Sequence, residues 1–309
     1  MYGEDGSARE KETIPIFLSS DDNYSPFVAS TIASVCYNTK SFIKFYVLSD
    51  GITKENQDKI KTLNSKFNNF DIEFLELDFS EIFKDMRLNL VSSSATYFRF
   101  LVPDMRLDLK KVIYLDIDLI AMGDVYELYS QDLEGKVIGA VMNRLDRPYS
   151  GLKQNSREHI YFNAGMLLID CEKWRTQNIT KKLFEIEERE RENIVCQDQD
   201  CLNILFDNNY KRLDLKFNLT NLHVHWSRYR RVKLIPQIVR AKRNCIIRHY
   251  VGVKPWCTYK INSWGFGAFW IYMKMTPFYN EIKEKYIERN AFKDCGFFAR
   301  IAKKIRNHF

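Results

Sequence analysis

The sequence predicts an α/β fold, a mixed and mainly parallel sheet flanked by helices. Three observations predict it. Short apolar runs alternate with segments of helical periodicity, the pattern of a parallel sheet with crossover helices. The run Val112-Ile113-Tyr114-Leu115 is unbroken, as expected of a strand buried on both faces. That run ends in Asp116-Ile117-Asp118, and α/β sheets place their ligands beyond the carboxyl ends of strands.

The elements follow in order. Ile14 to Leu18 reads as a first strand, closed by the polar turn Ser19-Ser20-Asp21-Asp22-Asn23. Pro26 to Tyr37 is a helix with proline near its start. Phe42 to Leu48 is a second strand, Thr53 to Phe67 a helix that Thr53 can start, and Phe70 to Leu77 a third, alternating strand. Ala95 to Leu101 has helical spacing and precedes the strand that ends at Asp116. Val137 to Met142 and Met166 to Ile169 are further strands, with a helix from about Arg175 to Glu190 and another over Cys201 to Phe206. Beyond Leu213 the pattern turns irregular and aromatic. No repeat or low-complexity linker divides the chain.

A length of 309 residues, 45% of them hydrophobic and 14% aromatic, suits one large domain with a substantial core. No apolar stretch is long enough for a transmembrane helix. Residues 1–12 are polar and read as a flexible tail without the features of a secretory signal. Seven scattered cysteines with no Cys-x-x-Cys pair argue for buried thiols in a reducing compartment. Net charge is +7, and no Asp or Glu occurs between Leu215 and Asn280. Such a field attracts anions; nucleic acid, an acidic membrane, an anionic glycan or nucleotide phosphates would each satisfy it.

The paired acids carry the most specific chemistry. Residues two apart on a strand share a face, so Asp116 and Asp118 can converge. Buried carboxylates need a partner, and Mg²⁺ or Mn²⁺ takes oxygen ligands while leaving positions open for phosphates. Acidic turns after strands are also common without a metal. Four further segments stand out. Tyr161-Phe162-Asn163-Ala164-Gly165 is a small-residue turn leading into a strand, its glycine suited to close backbone approach. Gln197-Asp198-Gln199-Asp200 opens a helix, with Asp198 either a cap or, with the amides, a partner for sugar hydroxyls. His249-Tyr-Val-Gly-Val-Lys254-Pro-Trp256 joins an imidazole able to ligate a metal to a lysine able to reach a phosphate. Residues 276–309 form a helical basic tail; Phe298, Ile301, Ala302 and Ile305 against Arg300, Lys303, Lys304 and Arg306 suit either an anionic membrane surface or a terminal helix docked on the core.

Taken together, Phe17-Leu-Ser-Ser-Asp-Asp-Asn-Tyr24, Thr96-Tyr-Phe-Arg99, Tyr114-Leu-Asp-Ile-Asp118, Phe162-Asn-Ala-Gly165, Gln197-Asp-Gln-Asp200 and His249 with Lys254-Pro-Trp256 resemble glycosyltransferase family 8. This retaining family includes lipopolysaccharide galactosyl- and glucosyltransferases and glycogenin. The resemblance runs from about Ile14 to Trp264. It implies a GT-A domain over 13–275, with a Rossmann-like nucleotide-sugar half at about 13–125 and an acceptor half at about 126–275. It implies that Asp116, Asp118 and His249 bind Mn²⁺ or Mg²⁺. Ser19, Asp21, Asn23 and Tyr24 would hold the uridine of a UDP-sugar, with the backbone of Ile117 beside the ribose and Gly252 and Lys254 on the diphosphate. Arg99, Asn163, Asp198 and Gln199 would surround the donor sugar and the reacting centre. The implied reaction moves galactose or glucose from UDP-galactose or UDP-glucose to a glycan acceptor, lipopolysaccharide, lipooligosaccharide or another cell-surface glycan. Its implied setting is the cytoplasm, peripheral at the inner face of the membrane. Two departures mark this chain: only Val253 separates Gly252 from Lys254, where the family has two residues, and Asn143 stands where relatives often carry an acid near the acceptor. Competing readings are a transferase that extends a sugar on a glycoprotein and a metal-dependent sugar nucleotidyltransferase, the latter without a Gly-rich phosphate loop in this sequence. A nucleic-acid binder would fit the charge but shows no recognition signature.

Overall fold

The computed structural model describes residues 12–78, 94–143, 160–226, 235–257 and 263–288. A seven-stranded sheet runs in the order β3-β2-β1-β4-β7-β6-β8. Its strands are β1 Ile14–Asp21, β2 Ile43–Asp50, β3 Phe70–Glu76, β4 Lys111–Leu115, β6 Ile138–Met142, β7 Phe162–Asp170 and β8 Lys211–Arg212. Strands β3, β2, β1 and β4 are mutually parallel, and β7 runs antiparallel to both β4 and β6. A second sheet, β5-β10-β9, joins Leu119–Ala121, Ile247–His249 and Leu219–Thr220.

The order of strands decides where a ligand can sit. The chain steps outward from β1 to β2 to β3, then returns to place β4 on the other side of β1. The β1–β4 pair is therefore the point at which the winding reverses, and crevices in open α/β sheets form beyond the carboxyl ends at such a point. Ser19 to Asp21, expected as a turn, are the last residues of β1, Asp22 to Tyr24 form a 3-10 turn after it, and Asp116 to Asp118 follow β4, so both motifs open into this crevice.

Apolar side chains cover both faces of the large sheet. One core gathers Ile14, Ile16, Val28, Ile32, Ile113 and Leu168; the other gathers Phe17, Tyr114, Leu167, Trp174 and Leu202. The Ser25–Asn38 helix is buried along nearly its whole length, which explains its small polar residues. Thr31 Oγ1 donates to Leu119 O at 3.0 Å, Ser34 Oγ accepts from Ala121 N at 2.9 Å, and Asn38 Nδ2 donates to Ala121 O at 3.1 Å. Spaced along one helical face, they satisfy β5 backbone groups that would otherwise be stranded. Thr53 caps the next helix, Lys54–Lys61, as its sequence suggests.

Several expected elements change shape. Asp116 to Asp118 are not strand residues but a bend between β4 and β5, so convergence of the two carboxylates comes from the bend and not from the two-residue period of a strand. Phe162 to Gly165, read as a turn, are the first residues of β7; alanine and glycine there are small because other groups pack close. The helix expected over 175–190 is two helices, Cys171–Thr176 and Ile179–Glu190, broken where Asn178 adopts φ 54°. Ser94–Phe100 is a 3-10 helix. Phe278 and Ile282 belong to the first core, and a further helix spans 279–288. Residues 1–11 and the amphipathic segment from Gly296 to Phe309 lie outside the described residues.

Candidate metal and donor site

The bend after β4 bridges the two sheets. Asp116 N donates to Gly165 O on β7 at 2.8 Å, and Asp118 O accepts from Tyr250 N, just past β10, at 2.9 Å. These bonds turn both carboxylates toward His249, the last residue of β10, which is 2% exposed. His249 Nε2 lies 2.8 Å from Asp118 Oδ1 and 3.8 Å from Asp116 Oδ2. One oxygen of each acid and one ring nitrogen lie within 4.8 Å of one another. Gly165 makes this packing feasible. A Cβ there would sit 2.3 Å from His249 Cε1 and 2.4 Å from Asp116 Oδ2, so the strand runs bare beneath the three side chains. Two carboxylates and one imidazole on a polar, partly open floor suit Mn²⁺ or Mg²⁺ with free coordination positions.

Charge around the cluster is organised by Arg99 and Lys254. Arg99 is 6% exposed. Its Nη2 donates to Asp116 Oδ1 at 3.0 Å and its Nη1 to Ala164 O at 2.7 Å. Its Nε donates to Thr96 O at 3.1 Å and lies 2.8 Å from Asp198 Oδ2. That last approach is an ion-pair contact; the N–H is aimed at Thr96, so Asp198 Oδ2 accepts no aligned hydrogen bond. Burial pushes the Asp198 carboxyl up to about 7, against the pull of Arg99 and with the push of Asp116. Asp118 is half-buried, and although desolvation pushes its carboxyl up, the His249 ring and the Lys254 ammonium beside it hold it well below the usual carboxylate range. Lys254 Nζ pairs with Asp118 Oδ2. Its loop is tied down by Asn221 Nδ2, which donates to Val251 O at 2.8 Å and Val253 O at 2.9 Å, and by Trp256, whose ring stacks 4.0 Å from that of Phe27.

Behind the acids lies a row of amides, Asn163 buried and Gln199 half-buried. Gln199 Oε1 accepts from Asn163 Nδ2 at 2.9 Å and from Ala164 N at 3.0 Å, while Gln199 Nε2 donates to Tyr161 Oη at 2.9 Å. The Gln197–Phe206 helix thus turns Gln199 into the protein. Asp200 accepts from Val195 N and Cys196 N, each at 2.8 Å, and from Tyr161 Oη. Its carboxylate anchors the helix start, and the reading of all four residues as partners for sugar hydroxyls narrows accordingly.

A cleft of about 220 Å³ opens at the β1–β4 ends, lined by Ser19, Ser20, Asp21, Tyr24, Thr96, Arg99, Tyr114, Asp116, Ile117, Asp118 and Lys254. It brings together eight of the residues expected around the donor. Asn23 is exposed, and neither it nor Gly252 lines the cleft. Gly252 adopts φ 79° with open space where a side chain would stand, so its glycine answers the backbone turn that brings Lys254 round. A larger cavity, about 570 Å³ and walled by Asp104, Trp174, Arg175 and Phe184 among others, holds none of the expected site residues.

Sequence reasoning missed Tyr114 and Asn218 as site residues. Tyr114 Oη donates to Asp116 Oδ1 at 3.2 Å, and the Arg99 guanidinium stacks 4.8 Å from its ring centre. Its strand position, two before Asp116, was the available signal. Asn218 contacts both Asn163 and His249; nothing in its local sequence marks it. The acid-free stretch is also less of a free cationic field than its composition suggests. Lys216 pairs with Glu127 at 2.6 Å and Lys254 with Asp118. Arg248 is fully buried, donating to Leu219 O and His249 O at 2.7 Å and to Trp264 O at 2.9 Å. Arg228, Arg230, Arg231, Lys233 and Lys260 lie outside the described residues.

Fold and site define a nucleotide-sugar transferase of GT-A architecture. Residues 15–259 match the profile of Glycosyl transferase family 8, and the chain belongs to that family. It is 31% identical over 272 residues to General stress protein A of Bacillus subtilis strain 168, covering 80% of this chain and 89% of that protein. It is 27% identical over 262 residues to a lipopolysaccharide 1,2-glucosyltransferase of Escherichia coli, covering 80% and 74%. Among solved structures it resembles galactosyltransferase LgtC in complex with donor and acceptor sugar analogues, with a TM-score of 0.73 and 27% identity over 85% of this chain and 96% of that one. This chain is a glycosyltransferase with a candidate metal site at Asp116, Asp118 and His249.

Proposed function

We propose that the protein is a retaining hexosyltransferase that moves galactose or glucose from a UDP-sugar to a glycan acceptor, with Mn²⁺ or Mg²⁺ held by Asp116, Asp118 and His249. One observation carries the reading: two acids from the bend after β4 and a histidine from β10 converge, over a glycine that leaves them room, at the reversal point of the sheet. Names of relatives support the choice of sugar and acceptor class: a lipopolysaccharide 1,2-glucosyltransferase and a galactosyltransferase.

The bound cation would act as a Lewis acid toward the diphosphate leaving group. The chain's residues would do the rest. Ser19 and Asp21, at the end of β1, and Tyr24, just after it, line the cleft and suit the nucleoside, with Asn23 at its rim and the Ile117 backbone beside the ribose. Lys254, now paired with Asp118, would exchange that partner for a phosphate oxygen, and Gly252 lets its loop turn. Arg99 holds Asp116 through a hydrogen bond and, by its charge, opposes the neutralisation of Asp198 that burial favours. An amide is a poor nucleophile, and the Gln199 carboxamide is already bonded at both ends. We therefore favour attack by the acceptor on the face from which UDP departs, with Gln199 and Asn163 beside the oxocarbenium-like centre. Asp198, the better nucleophile chemically, serves in this reading as the counter-charge of Arg99.

The acceptor reading is a lipid-linked or other cell-surface glycan at the cytoplasmic side of the membrane. Among the described residues no helix is long and apolar enough to cross a membrane, and the basic tail is the segment to test for surface contact. Incubating the protein with UDP-galactose or UDP-glucose, Mn²⁺ and glycan acceptors tests the whole reading. Release of UDP is the expected product. Release of pyrophosphate or UMP would point instead to nucleotidyl chemistry.

A further inference from the structure

Asn218 is fully buried in the Leu215–Phe217 to β9 connection, and its amide faces two site residues at once. Its Nδ2 donates to Asn163 Oδ1 at 2.8 Å, and its Oδ1 lies 3.0 Å from His249 Nδ1. Which end of such an amide points which way is set by the hydrogen-bond network, and here the network leaves one solution. Ala164 N donates to Gln199 Oε1 at 3.0 Å, and Gly165 N donates to Asn163 Oδ1 at 3.1 Å. A backbone N–H can only donate, so both oxygens are fixed as acceptors. Asn163 Oδ1 then calls for a donor from Asn218, which can only be Nδ2. Asn218 Oδ1 is left facing His249 Nδ1 and must receive a hydrogen from it.

We infer that Asn218 is a positioning residue: it holds a hydrogen of His249 on Nδ1, so that Nε2, which faces Asp116 and lies within donating distance of Asp118 Oδ1 at 2.8 Å, is the nitrogen left to a cation once its own hydrogen is displaced. The opposite amide orientation would set two oxygens against each other at Asn163 and would drive the imidazole hydrogen to Nε2, closing the site to a cation. The same amide links the imidazole through Asn163 to Gln199, so the metal side and the sugar side of the site share one rigid frame. The inference rests on the metal reading above for its consequence, but the position of the hydrogen can be read with or without a cation.

Two measurements on the full chain test it. Long-range ¹H–¹⁵N spectra of histidine-labelled protein, with His249 assigned through H249Q, should show Nδ1 protonated both without cation and with Mg²⁺. A neutral His249 with its hydrogen on Nε2 would overturn the inference. Mn²⁺ affinity, followed by the electron paramagnetic resonance signal of free Mn²⁺ in the absence of nucleotide, supplies the second. Asn218→Ala should weaken binding about 10- to 100-fold. Asn218→Asp, which keeps an acceptor for Nδ1–H but sets an oxygen against Asn163 Oδ1, should retain more of the affinity than Asn218→Ala. Wild-type affinity in Asn218→Ala, or equal loss in both variants, would assign Asn218 a merely structural part and overturn the proposal. Failure of the wild-type protein to bind Mn²⁺ would instead remove the metal reading, and the spectra would still decide the tautomer.

Discussion

His249 Nε2 and Asp118 Oδ1 lie 2.8 Å apart although 131 residues separate them in the chain. The contact exists because the β4–β5 bend leaves the large sheet just where β10 of the small sheet ends. The acids, the histidine and Lys254 are gathered along this seam between the two sheets.

Asp118→Ala should reduce transfer by about 10³-fold or more, the scale expected when electrostatic support of a leaving group is removed. The fold should survive, because Asp118 borders the cleft and the apolar core does not depend on it. Steady-state turnover and a thermal melt together check this. Wild-type activity that persists in excess chelator would contradict the metal role.

Gly165→Ala should be nearly as damaging without touching a ligand. Its methyl group would meet Asp116 and His249 well inside contact distance, so either the strand or the ligands must shift. The expected result is a loss of about 1–3 kcal/mol in stability, the usual cost of overpacking, and at least about tenfold weaker Mn²⁺ binding, as for displaced ligand supports. Denaturant unfolding and metal titration read the two effects separately.

Arg99→Lys tests whether the guanidinium fork matters or only its charge. A lysine cannot reach Asp116, Asp198 and the Ala164 carbonyl at once. Leaving one buried carboxylate without its partner should cost about 3 kcal/mol, measured by urea unfolding at neutral pH. A variant as stable as the parent would show that Asp198 is held neutral and needs no counter-charge.

Gln199→Ala should lower turnover by about 10²-fold, in keeping with loss of one positioned group at a charged transition state, with little change in the affinity for UDP. Turnover close to the parent value would take Gln199 out of the reacting centre.

His223 predicts a pH dependence of stability. Its Nε2 donates to Met142 O at 2.9 Å and its Nδ1 accepts from Thr220 N at 3.1 Å, a fully neutral arrangement. Burial draws it down to about 4; the Met142 carbonyl opposes this, and the nearby Arg248 and His249 add to it. The folded value lies below the unfolded one of about 6.5, so the unfolded chain binds the extra proton. The stability this supplies is complete above about pH 6.5 and is lost as pH falls toward about 4, amounting to at most about 3 kcal/mol. Urea midpoints at pH 7.5 and 5.0 should differ less in His223→Gln than in the parent.

Much of this molecule was legible in the sequence, and the exceptions share a cause. The β1, β2 and β4 strands are largely apolar runs buried on both faces, and β3 alternates apolar with polar residues, so each announces itself. Asp116, Asp118 and His249 were readable as chemistry because polar groups after such runs need a reason. Asn178, which breaks one helix into two, was hidden because a single residue in left-handed conformation costs little and leaves no period. Asn218 was hidden because its role depends on two partners, Asn163 and His249, distant in sequence. Arg248 looked like part of a cationic surface, since composition cannot distinguish a solvated arginine from one caged by backbone carbonyls.

Titration calorimetry of UDP into the purified protein, with Mn²⁺ and then with excess chelator, tests the central claim most directly. The account predicts binding that is at least about tenfold tighter with the cation and a cation effect that disappears in Asp118→Ala. The same UDP affinity in both buffers would contradict it.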